Sequence, residues 1–466
     1  MQVGDLKGKK VTVMGLGLHG GGIGTIRFLS WAGANITVTD IKSKEELAPS
    51  LEKLKDLKNI TYIFNQHRPE DFTKADMIMK TPPAPWDNKY IKLALENKIP
   101  VEVDSSLFFK LCKNTIVGIT GTKGKTTTAT LVYEVLKAAG KNVVKVGIGQ
   151  ISALDKIKDL KKDSIVVFEL SSWRLSALGR YKLSPNVAII TNIFPDHLNY
   201  YKDMAGYIKD KKYIFQNQKP EDFCAVNWDD EVLNKLDEEI KSNLIKFSKN
   251  KIDQGRSVYL NEGNVYANDG VDEKKVIDAT EIKLKGEHNI CNILAAVSAG
   301  VALGIEPKIM KKTIAEFNGV AHRLELVREL EGIKYYNDTA ATTPEAAISG
   351  ISSFSEPIVL ICGGSDKNLD MSEMGKIISQ IAKSVIFLKG KATDKLIDEM
   401  KKYLAEKNME NDFKIVESME KAVELARIEA KSGDVVLLSP GAASFGMFQN
   451  EFDRGDKFKV AVNALN

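Results

Sequence analysis

Ile116-Val117-Gly118-Ile119-Thr120-Gly121-Thr122-Lys123-Gly124-Lys125-Thr126-Thr127 decides how this chain of 466 residues is read. An apolar, β-branched run opens into a glycine-rich loop ending in Gly-Lys-Thr, and Thr128 to Ala139 follows with helical character. Strand, loop and helix in that order present backbone N–H groups and the positive end of a helix to an anion. In such a loop Gly121, Thr122, Lys123 and Gly124 cradle phosphates and Lys125 reaches the outer ones. The hydroxyl of Thr126, with Thr127 beside it, is available to Mg²⁺. The implied ligand is a nucleoside triphosphate. The usual spacing sets a glycine where this chain has Ile119, and Gly118 and Gly121 straddle that position. A ligand-free strand-to-helix turn is the alternative.

Composition bounds the rest. A charged fraction of 27% and a hydrophobic fraction of 43% are those of a soluble globular protein of about three domains. The formal net charge is only +4, and no basic tract interleaved with aromatics stands out, so no nucleic acid partner is expected. Lys161-Lys162 and Lys209 to Lys212 read as solvated faces. Neither a signal peptide nor a membrane span is expected. Cys112, Cys224, Cys291 and Cys362 are scattered and lack Cys-x-x-Cys spacing, which favours buried reduced thiols and a cytoplasmic location.

Short β-branched runs alternate with helical patterns throughout, the mark of α/β units around parallel sheets. Three domains are expected: residues 1–108, 109–319 and 320–466. The first carries Val11 to Met14, Ile36 to Thr39 and Val101-Glu102-Val103. The second carries the loop above, Ser164 to Phe168 and Val187 to Ile190. The third carries Ile358 to Ile361, Val385 to Leu388 and Val435 to Leu438. In the first block Gly15-Leu16-Gly17-Leu18-His19-Gly20 follows a strand and Asp40 ends the next, a dinucleotide-type fingerprint whose acid can accept from a ribose or base. Taken alone, it points to a nicotinamide-dependent oxidoreductase.

Glu169 ends an apolar strand and opens Glu169-Leu170-Ser171-Ser172-Trp173. His197 closes Thr191 to Leu198, just past another strand. Both fall at carboxyl ends of strands, where open α/β sheets bind ligands, and a carboxylate with an imidazole there can hold divalent metal beside a triphosphate.

The Thr-Gly-Thr-x-Gly-Lys-Thr loop, together with the motifs of Glu169 and His197, resembles the Mur ligase family, the amide-forming enzymes of peptidoglycan precursor synthesis. That resemblance implies a Rossmann-like first domain holding the UDP of the substrate, with Gly15, Gly17, Asp40 and Thr81 as contacts. It implies a central P-loop-type ATPase domain with a mainly parallel sheet and a C-terminal Rossmann-like α/β domain. Lys211 aligns with a lysine that is carbamylated in many relatives and would help Glu169, His197 and Thr126 hold two Mg²⁺ ions. Lys285 to Asn292 resembles the segment contacting the adenine side of ATP, through Asn289 and Asn292. Ala321-His322-Arg323 resembles the hinge whose arginine reaches the phosphates.

Asn337 to Thr342, Gly363 to Lys367 and Ser439 to Phe445 are most similar to the branch of the family that joins D-glutamate to UDP-N-acetylmuramoyl-L-alanine. On that likeness Asp338 contacts the nucleotide, Ser171 the UDP substrate, and Thr342, Lys367 and Ser444 the glutamate. Cationic and hydroxyl donors are what a dicarboxylate requires. The implied enzyme is an ATP-dependent, ADP-forming ligase, expected as a monomer. Departures are Lys123 for a common asparagine, Ala340 for a lysine, Val146 to Gly149 without the usual asparagine, Trp173-Arg174 for Phe-Gln, and Glu451 at an often aromatic position. A Mur-type ligase using L-glutamate or another amino acid, an oxidoreductase and a non-catalytic nucleotide-binding module are the alternatives.

Overall fold

The computed structural model describes residues 1–18, 20–148, 152–196, 200–284, 286–406 and 413–466. Three sheets organise the chain. The first contains β1 (Lys10–Met14), β2 (Asn35–Thr39), β3 (Ile60–Ile63), β4 (Met77–Lys80) and β5 (Val101–Glu102) in the order β3-β2-β1-β4-β5. Every pairing in it is parallel. β1 is central and almost wholly buried, as Val11, Val13 and Met14 require.

The second sheet runs through β6 (Thr115–Thr120), β7 (Val143–Val146), β8 (Ile165–Glu169), β9 (Val187–Ile190), β10 (Phe223–Asn227), β11 (Asn243–Ser248), β12 (Ser257–Asn261), β13 (Asn264–Asn268) and β14 (Glu273–Asp278). Its order is β14-β13-β12-β11-β10-β9-β6-β8-β7, and only the β12-β13-β14 end is antiparallel. β6 lies between β8 and β9, so the ends of all three, Thr120, Glu169 and Ile190, arrive side by side. Gly118 belongs to this strand and not to the phosphate loop. A Cβ there would sit 2.6 Å from the Pro185 ring and 2.9 Å from Leu170, so its lack of a side chain serves packing. The first two sheets share a buried apolar cluster that includes Val13, Ile26, Leu107, Phe108, Phe168 and Leu175.

The third sheet contains β15 (Glu325–Leu330), β16 (Ile333–Asn337), β17 (Ile358–Gly363), β18 (Ala382–Leu388), β19 (Lys414–Val416) and β20 (Val435–Leu438) in the order β15-β16-β20-β17-β18-β19. It is parallel except for the edge strand β15. Alternate residues of β17 enter separate cores on its two faces: Leu360 and Cys362 on one, Val359 and Ile361 on the other. By packing, the chain divides into a unit of residues 1–282 with 290–315 and a unit of 283–289 with 316–466.

The architecture is α/β with three mostly parallel sheets, as expected. Cys112, Cys224 and Cys362 are buried, and no disulfide forms among the described residues. No helix among them is long and apolar enough to cross a membrane.

Candidate active site

In the first unit, β1 ends in a loop shaped by glycine. Gly15 (φ 91°), Gly17 (φ 61°) and Gly20 (φ 77°) take left-handed backbone, and a Cβ on Gly22 would strike the Leu16 carbonyl oxygen at 2.1 Å. Asp40, at the end of β2, is buried and faces this loop. One carboxylate oxygen accepts from the N–H groups of Leu16 (2.9 Å) and Gly17 (3.1 Å), the other from Lys42 N–H at 2.9 Å. The acid therefore holds the loop in shape before any ligand arrives.

This loop opens on a cavity of about 1060 Å³. Gly15, Gly17, Asp40 and Thr81 line one part of it, and Glu169, Ser171, Trp173 and Arg174 line another. The expected UDP-substrate residues thus share one concavity with the expected metal ligand. The hydroxyl of Ser171 caps the helix Ser172–Arg180, accepting from Arg174 N–H at 3.4 Å.

The phosphate loop joins β6 to the helix Lys125–Ala138, which begins at the loop lysine, earlier than its apolar pattern suggests. Gly121 (φ 148°) and Gly124 (φ 84°) make the turn. Lys125 Nζ folds back on the loop and donates to the carbonyls of Gly121 (3.0 Å) and Thr122 (2.9 Å). Asn192 grips the loop from the end of β9: its side-chain oxygen accepts from Lys123 N–H at 2.8 Å, and its amide donates to the Lys123 carbonyl at 3.1 Å. Thr191 adds a 2.6 Å bond to that carbonyl.

Thr126 Oγ1 donates to Glu169 Oε2 at 2.9 Å, joining two of the expected metal ligands. Thr127 follows in the same helix turn, partly buried. Lys211 is 1% exposed, whereas Lys209 is exposed and Lys212 pairs with Glu239. Burial, then the neighbouring Lys125 cation, pushes the Lys211 amine well below the ordinary lysine range against the opposing pull of Asp196. The charged-face reading of Lys209 to Lys212 therefore fails at Lys211. His197 lies outside the described residues, as does Lys285. Among the described residues no group of three His, Cys, Asp or Glu is arranged to hold a metal. The Thr126–Glu169 oxygen pair does fit a hard cation such as Mg²⁺. Asn292 is buried and accepts from Thr128 Oγ1 at 3.4 Å.

The second unit gathers the remaining residues. Asn289 is buried there, and its N–H donates to the Gly286 carbonyl at 3.0 Å. Arg323 is exposed. Asp338, just past β16, accepts from Ser439 Oγ at 2.9 Å, and burial raises its carboxyl to about 7. The loops after β16, β17 and β20 are laced together: Gly441 N–H donates to the Ala341 carbonyl at 2.9 Å, and Ser365 and Ala443 exchange backbone bonds of 2.9 and 3.1 Å. Thr342, Lys367 and Ser444 are thereby brought to one edge of the sheet, at carboxyl ends of parallel strands.

Several cavity residues carried no assignment from sequence. Lys80 is buried, donates to the carbonyls of Thr81 (3.3 Å), Pro82 (3.1 Å) and Ala84 (2.8 Å), and is pulled down to about 7 chiefly by burial. His67 Nδ1 lies 2.7 Å from Thr39 Oγ1 and its ring meets Tyr90 edge-on at 5.2 Å. Arg174 pairs with Asp104 at 2.8 Å and donates to the Gly147 carbonyl at 2.9 Å.

A glycine-loop cavity, a phosphate loop with its threonine–glutamate pair and a third α/β domain with laced loops are the parts of an ATP-dependent ligase. The chain belongs to the Mur ligase family. Residues 9–102 match the MurD-like N-terminal domain of Mur ligases, 119–300 the Mur ligase middle domain and 322–441 the Mur ligase glutamate ligase domain. A UDP-N-acetylmuramoylalanine--D-glutamate ligase of Roseiflexus sp. (strain RS-1) is 39% identical, with 99% of this chain and 100% of the relative covered. The UDP-N-acetylmuramate-alanine ligase MurC of Thermotoga maritima shares the fold at 22% identity and a TM-score of 0.60, covering 98% of this chain and 99% of its own. The MurF ligase of the same organism, solved in complex with ADP, does so at 18% identity and a TM-score of 0.57, covering 99% and 97%.

Proposed function

We propose that this protein joins D-glutamate to UDP-N-acetylmuramoyl-L-alanine at the expense of ATP, a cytoplasmic step of peptidoglycan precursor synthesis. The observation that carries this reading is the single cavity lined by both the β1 glycine loop and the Glu169–Ser171 segment, with Glu169 bonded to Thr126 of the phosphate loop. A nucleotide-sugar held by Gly15, Gly17, Asp40 and Thr81 extends from there toward the metal ligand, with Ser171 along its path.

An oxygen of the alanine carboxylate takes the γ-phosphoryl group of ATP, forming an acyl phosphate as the bond to ADP breaks. The amine of glutamate then attacks the acyl carbon, and the tetrahedral intermediate collapses to an amide with loss of phosphate and of one amine proton. Gly121, Thr122, Lys123, Gly124, Thr126 and Thr127 hold the phosphates, and Lys125 leaves its loop carbonyls to follow the transferring group. Asn289, Asn292, Arg323 and Asp338 bind the nucleoside and phosphates, while Thr342, Lys367 and Ser444 bind glutamate.

Thr126, Glu169, His197 and a carbamate on Lys211 would hold two Mg²⁺ ions, which when bound offset phosphate charge. The Lys211 amine suits that modification: its neutral form adds through the nitrogen lone pair to the carbon of CO₂ and releases one proton, becoming an anion. Water must be kept from the acyl phosphate.

Phosphate release, assayed across a panel of amino acids with and without UDP-N-acetylmuramoyl-L-alanine, tests the reading. Release is expected only with the UDP substrate and D-glutamate together. Turnover with another amino acid would move the chain within the family, and oxidation of NAD(P)H would revive the oxidoreductase.

A further inference from the structure

The helix Glu451–Asn463 carries an arginine, Arg454, that is 0% exposed. Its Nε donates to Thr339 Oγ1 at 2.9 Å, and its terminal nitrogens donate to the carbonyls of Ala442 (3.1 Å) and Thr339 (3.0 Å). All three acceptors are neutral. A guanidinium keeps its proton under these conditions, and a buried charge without a bonded counterion is costly to maintain. The bonds nonetheless fasten the segment leading to Thr342 to the segment leading to Ser444.

One acid acts on this charge. Glu451 stands one turn before Arg454, and its carbonyl accepts from the same Thr339 hydroxyl at 2.9 Å. Its carboxylate opposes the fall that burial imposes on Arg454. Lys367, on the loop laced to Ala443, feels both neighbours: burial and Arg454 lower it, Glu451 raises it. Nearby acids are already paired, Asp366 with Lys395 at 2.5 Å and Asp453 with Lys457 at 3.2 Å. Among the described residues, Glu451 is thus the one acid that acts on both Lys367 and Arg454 without being bonded to another cation, and against these two cations it leaves one positive charge in excess.

We propose that Arg454 and Glu451 set the charge of the amino-acid pocket: with Lys367 they hold one excess positive charge that an acidic side chain neutralises, and Glu451 is a resident competitor for the incoming carboxylate. Arg454, being buried, is a positioning residue that acts through Thr339, Ala442 and its field. The inference rests on the reading of this edge as the amino-acid site.

Steady-state kinetics on the full chain provides the test. Glu451→Gln removes the competitor, so KM for D-glutamate should fall about three- to tenfold, with those for ATP and the UDP substrate unmoved. Arg454→Gln should raise KM for D-glutamate at least about tenfold and narrow discrimination against D-glutamine, whereas Arg454→Lys, which keeps the charge, should stay within about threefold. A KM unchanged or raised in Glu451→Gln overturns the proposal, as do equal defects in Arg454→Gln and Arg454→Lys. If Arg454→Gln does not fold, the partly exposed Glu451 site still decides. A wild-type enzyme that prefers a different amino acid defeats the proposed substrate instead, and the same variants, compared on that amino acid and its charge-matched or neutral analogue, then read the charge rule separately.

Discussion

Lys211 shows how burial sets one lysine apart from a surface-charge pattern. Within Lys209-Asp210-Lys211-Lys212 it alone is sealed from water, and a cation there would face Lys125. Burial favours the neutral amine, the form able to take up CO₂. On the proposed carbamate, Lys211→Ala is expected to lose at least about a hundredfold in kcat, with partial rescue by added short carboxylates, which would replace the missing anion. Activity close to wild type without rescue would leave the residue a packing element. Asp338 presents the opposite case. Its folded carboxyl is raised from 3.8 to about 7, so between those values the folded state holds a proton that the unfolded state has lost. Stability must then fall as pH rises from 4 toward 7 and level off above it. Asp338→Asn should gain roughly 2–4 kcal/mol over wild type near pH 8 and little near pH 4, while its KM for ATP rises. Thermal unfolding at the two pH values checks the sign; an advantage larger at pH 4 would contradict it.

At the scale of elements, the loop after β1 is held in shape by an acid, Asp40, that also lines the cavity. Three backbone N–H groups already converge on Asp40. Asp40→Ala should thus raise KM for the UDP substrate about tenfold or more with little change in that for ATP, because the phosphate loop is braced separately by Thr191 and Asn192. Equal weakening toward both substrates would show the two loops to be coupled. Those glycine loops were legible in the sequence because they need left-handed backbone, which leaves glycines at fixed offsets. So were buried parallel strands such as Val435–Leu438, whose apolar run is unbroken. The β10–β14 arm was not: Glu273–Asp278 carries three exposed charged residues and pairs only through a hairpin. Nor were the roles of His67, Lys80 and Asn192 legible. His67 and Asn192 act through partners distant in sequence, Lys80 through the carbonyls of the turn that follows it, and a lone histidine, lysine or asparagine has no spacing to reveal such a role. Arg174 stood out only as a departure; its pairing with Asp104, seventy positions earlier, required the fold.

For the whole molecule, the cavity and phosphate loop belong to one packing unit and the laced loops after β16, β17 and β20 to the other, so under the proposed reading substrate choice is separable from phosphoryl transfer. In the proposed pocket Thr342, Lys367 and Ser444 would supply a cation and two hydroxyls, which specify the groups bound. They do not by themselves specify the hand of the α-carbon. Ala340 and Glu451 alter the surroundings further. The preference for the D-isomer accordingly follows from the full-length likeness to a D-glutamate ligase and not from donor chemistry. Competing D- and L-glutamate at equal concentration and resolving the dipeptide products should give D-product in at least about a hundredfold excess, since in the proposed pocket a misplaced carboxylate would leave Lys367 without its substrate partner. D-Glutamine should fare as poorly, for the same reason. Predominant L-product would preserve the acyl-phosphate mechanism, the phosphate loop and the UDP cavity while overturning the amino acid, and would locate the error in the handedness imposed by the loops after β16, β17 and β20.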